Sequence, residues 1–293
     1  MRRFLLIILL LTFSLSTSVI AGSHEKKQVD IFEKVYKEVD NMKKNNASIE
    51  EIMAYKREQG IITLSLTQSF YSEEENAIVT EKYQYNKDGK QINKSITIDD
   101  SYFQNSPTSD SSVMSIYHLE PSDIETRCWV DHFPRDNEYA IYGELTKTSG
   151  SEDYPASYDV LGISWDIDVF NYLRQGSSSY NNGEIWLRES KHRYTGGTIL
   201  FSLEDDAMKS HSYGSVSAWA ILEPKVSNAN TSGGVDFTHT YEDIRETRTQ
   251  TGEASISWGS DGISGTYGSS WSVSYEPEES GWSKADTAQI TIN

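Results

Sequence analysis

Between residues 25 and 58, apolar residues recur every three or four positions. Val29, Phe32, Val35, Tyr36, Val39 and Met42 form one stripe, which predicts an amphipathic helix. Asn45 and Asn46 interrupt it. Ser48, with Glu51 three residues on, is a capping box and predicts a second, shorter helix carrying Ile49, Ile52, Met53 and Tyr55. Gly60 is its stop. From Ile61 the period changes to two: Ile62, Leu64 and Leu66 alternate with Thr63, Ser65 and Thr67. Runs at 78–85 and 91–98 flank Asn86-Lys-Asp-Gly89, the pattern of a β-hairpin.

Farther along, short alternating runs separated by glycine-rich turns predict strands at 139–145, 185–188, 198–203, 216–222 and 235–241. Residues 166–173 (DIDVFNYL) read as a short helix. The expected fold is mainly β: an antiparallel β-sandwich-like C-terminal region preceded by a short N-terminal helical segment. The expected segments are a leader at 1–21, a helical segment at 22–60, a β-hairpin region at 61–105 and an all-β domain at 113–293. A polar stretch with one proline, 105–112, separates the last two. The helical segment has two readings, a removable pro-region or a pair of helices packed on the following sheet.

The leader is a secretory signal by composition. Arg2 and Arg3 precede the apolar run 4–13, and Val19-Ile20-Ala21 fits cleavage between Ala21 and Gly22. The run is too short for a stable membrane-spanning helix, which needs about 20 residues. A secreted, extracellular protein is therefore expected. Cys128 is the only cysteine, so the chain has no internal disulfide. A large exported chain without one fits bacterial secretion, particularly from Gram-positive cells.

The formal net charge is −18. The segment from Glu25 to Gly60 carries eight basic and eight acidic residues, so the acidity lies beyond it. Such a chain is not a nucleic-acid binder, because phosphate recognition needs clustered Lys and Arg. All seven Trp lie beyond residue 113.

No catalytic motif is present: no Gly-x-Ser-x-Gly, no His-Glu-x-x-His and no phosphate-binding glycine loop. Cys128 with His132 and His118 lacks the four ligands of a structural zinc site. No cofactor is expected. Calcium is the one ion an acidic secreted β-protein leaves open, and no Asp-x-Asp-x-Asp-Gly loop supports it. No catalytic or metal-ligating residue is assigned.

The most unusual stretch is 254–275. Ala254, Ile256 and Trp258 alternate with serines. After a glycine-rich turn, Ile263, Tyr267, Trp271, Val273 and Tyr275 share one face, and small or hydroxylated residues share the other. Asp261 is its only charge. Transmembrane β-strands show this alternation over about 9–11 residues. A hairpin packing its apolar face on the sandwich shows it too. Ile256, Trp258, Ile263, Tyr267, Trp271, Val273 and Tyr275 are therefore the candidate membrane- or partner-facing residues.

In plan, with leader, neutral helical segment and uncharged hairpin, the chain resembles large secreted bacteriocins of Gram-positive bacteria. The resemblance is organisational and carries no motif. It implies a non-enzymatic antibacterial protein acting on the membrane or envelope of neighbouring bacteria. The alternatives are a secreted carbohydrate- or protein-binding adhesion module of β-sandwich type, and a secreted hydrolase using a carboxylate pair.

Overall fold

The computed structural model describes residues 30–99, 119–150, 159–180, 185–187, 197–203, 214–242, 253–256, 271–274 and 279–292. The leader, Ala21, Gly22 and the stretch 105–112 lie outside them. The chain forms two compact units, Met1–Lys34 and Val35–Asn293. Helix α1 (Ile31–Lys44) begins in the first and continues into the second. Helix α2 (Ile49–Glu58) follows. Its capping box forms as read: Ser48 Oγ accepts from Glu51 N–H, and Glu51 accepts from Ser48 N–H. Val35, Tyr36 and Val39 on α1 and Ile52 and Met53 on α2 are buried, so the stripe has a partner.

That partner is a seven-stranded antiparallel sheet ordered β3-β2-β1-β4-β5-β10-β7. Its strands are β1 (Ile62–Ser72), β2 (Ala77–Tyr85), β3 (Gln91–Asp99), β4 (Ile124–Phe133), β5 (Glu138–Lys147), β7 (Phe170–Tyr180) and β10 (Ser215–Pro224). A second sheet, ordered β14-β11-β6-β9-β8, contains β6 (Asp159–Trp165), β8 (Ile185–Leu187), β9 (Thr198–Leu203), β11 (Asn230–Glu242) and β14 (Glu279–Thr291). A third has two strands only, β12 (Glu253–Ile256) and β13 (Trp271–Ser274). The chain is thus mainly antiparallel β, in two facing sheets with two short helices before them.

The β2–β3 turn is local chemistry. Asn86 Oδ1 accepts from the N–H groups of Asp88 and Lys90, and Gly89 sits at φ +72°, where a side chain is strained. The core lies between the two large sheets, with Cys128, Val130, Ile141 and Leu145 facing Leu161, Ile163, Phe201, Val235 and Phe237. Cys128 is fully buried and free, and burial pushes its thiol well above the ordinary value.

Residues 166–173 are not helical. Asp166 Oδ1 accepts from Asp168 N–H in a tight turn, and β7 starts at Phe170, paired with Pro224 of β10. The edge of β10 needed a partner there, and pairing outweighed the weak local helical pattern.

Strand β14 lies at the edge of its sheet, against β1. Thr287 and Gln289 offer outward carbonyls that accept from Thr67 Oγ1 (2.7 Å) and Ser65 Oγ (2.8 Å). Asp286 accepts from Thr126 Oγ1 (2.6 Å) and Ser69 Oγ (2.5 Å), and Lys284 Nζ donates to the carbonyls of Ser69 and Ile124. Hydroxyls, rather than another strand, close this edge.

Candidate functional site

The face of the seven-stranded sheet turned away from the core is built of rows set by strand register. One row runs Tyr83, Leu66, Trp129, Tyr142, Trp219, Gly176. Gly176 leaves room for the indole: a Cβ there would lie 2.3 Å from Trp219 Cζ2. The neighbouring row is polar: Glu81, Gln68, Arg127, Glu144, Ser217.

The helices cover the middle of both rows. Tyr36 of α1 stacks near Tyr142 (4.5 Å between ring centres) and Trp219 (5.2 Å). Asp40 accepts from Tyr142 Oη at 3.0 Å, and Lys43 pairs with Glu144 at 2.7 Å. Lys56 of α2 is fully buried, 4.0 Å above the Trp129 ring, and pairs with Asp131 at 2.8 Å. Asp131 accepts also from Tyr36 Oη and Thr63 Oγ1. Burial pulls the Lys56 ammonium below its ordinary range, against the opposing pull of Asp131. Burial pushes the Glu144 carboxyl up, but Lys43 and Arg127 outweigh it and hold the group below its ordinary value.

Beyond the helices the polar row opens into a cleft of about 520 Å³. Its floor is Gln68, Glu125 and Arg127. Phe70, Tyr71 and Glu73, from the end of β1, form one wall. Ile49, at the start of α2, with Ser122, Thr148 and Ser149, forms the other. Most of these groups are already held. Gln68 Nε2 donates to Glu81 (2.8 Å), Tyr71 Oη to Asn76 (2.9 Å), Ser149 Oγ to Asp123 (2.5 Å) and Arg127 Nη2 to Glu125 (2.5 Å). Arg127 Nε–H differs: it is buried and has no hydrogen-bond acceptor. Burial works against the guanidinium charge, and Glu144 and Glu125 more than restore it. The cleft thus offers half-buried aromatic surface, planar polar groups and hydroxyls, while the unsatisfied Arg127 donor is enclosed. These groups can hold a ligand with one flat apolar face and a polar edge.

The sequence-predicted site residues are placed as follows. Ile256 lies on β12, and Trp271 and Val273 lie on β13. The register sets Ile256 opposite Trp271 and Ala254 opposite Val273. Trp258, Ile263, Tyr267 and Tyr275 lie outside the described residues. The cleft was not among the predicted sites. Its one sequence signal is Arg127, a long cation directly before the apolar run Cys128-Trp129-Val130. His239, on β11, is buried and bonds Asp159 at 2.9 Å. Among the described residues, no group of three or more His, Cys, Asp or Glu is placed to hold a metal ion.

No family model matches the chain, and no curated protein matches it. Several solved structures are similar to it. One is the collagen-binding domain of a Staphylococcus aureus adhesin, at 9% identity over 46% of this chain and 91% of that one, with a TM-score of 0.27. Another is the C-terminal domain of the Streptococcus pyogenes antigen I/II-family protein AspA, at 11% identity and a TM-score of 0.25, covering 55% of this chain and 49% of that one. A pore-forming protein aligns over 79% of this chain and 91% of its own length, at 10% identity and a TM-score of 0.28. Likeness at this level fixes neither ligand nor activity.

Proposed function

We propose that the protein is an extracellular, non-enzymatic binding module of adhesion type that holds a neutral sugar unit in the cleft beside α2. The observation that supports this is a cleft walled by the half-buried rings of Phe70 and Tyr71 and floored by Gln68, Glu125 and Arg127. Aromatic faces suit the C–H face of a pyranose, and Gln68, Glu125 and the hydroxyls suit its edge. Glu125 and Glu144 already neutralise the guanidinium, which favours an uncharged ligand over an anion. The leader read in residues 1–21 supports export.

A glycan array followed by calorimetry tests the proposal. Arg127→Lys keeps the charge that Glu125 and Glu144 need and removes the planar guanidinium edge that lines the cleft. It is expected to weaken binding about tenfold or more, the loss of one charge-assisted hydrogen bond. A folded wild-type protein that binds no glycan, or an Arg127→Lys variant that binds unchanged, sinks the reading.

A second reading, damage to bacterial membranes, is favoured by one observation. Strands β12 and β13 pair with each other and with no other described strand. Among the described residues no helix is long and apolar enough to cross a membrane, so insertion would use strands. Under this reading Trp271→Asp is expected to abolish dye leakage from vesicles of bacterial lipid while secretion continues. Wild-type protein that neither releases dye nor inhibits any bacterial strain removes it.

A further inference from the structure

The two sheets finish their edges differently. The outward carbonyls of β14 are closed by β1 hydroxyls. Among the described residues, strand β3 has no such cover. All nine of its residues are exposed, and among the described residues it pairs only with β2. Ile92, Ile96 and Ile98 are 64%, 55% and 51% exposed and share one face with Lys94. A long exposed edge with apolar side chains is a template for another strand.

The pattern of β3 says which strand. Laid antiparallel on itself about Ser95, it sets Ile92 opposite Ile98, Asn93 opposite Thr97 and Lys94 opposite Ile96. Apolar meets apolar and amide meets hydroxyl. The aliphatic stem of Lys94 covers Ile96, and no like charges face each other. Charge favours the same surface. Residues 77–99 carry four lysines against three acids, in a chain of net charge −18. Two copies approaching through this ribbon repel least. We propose that two copies of the chain join through β3 as an antiparallel, isologous pair with its two-fold axis at Ser95, making one continuous sheet. The pairing does not depend on what the cleft holds.

Sedimentation of the full chain over a range of concentrations is expected to show a monomer–dimer equilibrium. Ile96→Lys sets an added ammonium opposite the other copy's Lys94, twice per dimer, and is expected to weaken association about tenfold. Ile96→Glu sets a carboxylate there and is expected to hold the dimer. Ser95→Cys is expected to yield a covalent dimer on oxidation, and Thr97→Cys, which faces Asn93, is not. Cys128 is fully buried and does not compete. A wild-type protein that is monomeric at every concentration overturns the proposal. So does equal weakening by Ile96→Lys and Ile96→Glu, because it removes the register.

Discussion

Replacing Lys56 with alanine is expected to cost about 3–5 kcal/mol of folding stability, the usual consequence of removing one partner of a buried ion pair. Lys56 and Asp131 are both fully buried, 2.8 Å apart. Without the ammonium, the Asp131 carboxylate keeps only the hydroxyls of Tyr36 and Thr63. Lost packing of the lysine stem over Trp129 adds to the deficit. Denaturant titration measures the change directly. The double variant Lys56→Met, Asp131→Leu is expected to regain most of the stability, because neither charge of the pair is then left buried without its partner. If Lys56→Ala matches the wild type instead, Asp131 is hydrated and the helices are not pinned there.

Asp236→Asn is expected to do the opposite, and only above acid pH. Burial first, and the nearby Asp286 second, push the Asp236 carboxyl from 3.8 up to about 8. Neither of its oxygens has a hydrogen-bond partner. Between the two values the folded state holds a proton that the unfolded chain releases. Stability therefore falls as pH rises from about 4 to about 8, by up to about 5 kcal/mol at 1.36 kcal/mol per unit. Asparagine has no proton to lose. The variant should match the wild type near pH 4 and exceed it by several kcal/mol at pH 8. Lys284, lowered from 10.5 to about 8 by burial, acts in a different window: its contribution rises from about pH 8 to 10.5. Denaturation midpoints across pH separate the two. Parallel curves for wild type and variant would show that Asp236 is ionised in the native state.

Much of the fold is legible in the chain. The helices, their break at Asn45-Asn46, the capping box at Ser48 and the hairpin about Asn86 follow from local chemistry, and all appear where residue spacing sets them. Strand β9 matches its predicted bounds, 198–203. Burial of β1 was harder to read. Its alternation suggests that Ser65 and Thr67 face water, yet both are buried, because their hydroxyls meet the carbonyls of β14. Period two shows that a strand has two faces; it does not show which face is inside. The helix read at 166–173 failed because the edge of β10 lies about 50 residues away in sequence, beyond any local window. The cleft was invisible for a related reason. Its lining comes from α2, β1, β4 and three connecting segments, and Arg127 gains meaning only when register places it beside Gln68 and Glu144.

The hydroxyl closure of β14 also bears on how the chain reaches its native state. Ser65 bonds a carbonyl 224 residues away, Thr67 one 220 away, and Lys284 reaches Ser69 across 215. Contacts of such separation are repaid only after a large loop has been closed. Helix α2 and the β2–β3 and β4–β5 hairpins, built from neighbouring residues, are expected to form before the lock between β1 and β14. All-β topologies of this kind fold in milliseconds to seconds. During that interval β14 presents open carbonyls while β3 already exposes its isoleucines. Refolding yield is therefore expected to fall as the concentration of newly made chains rises.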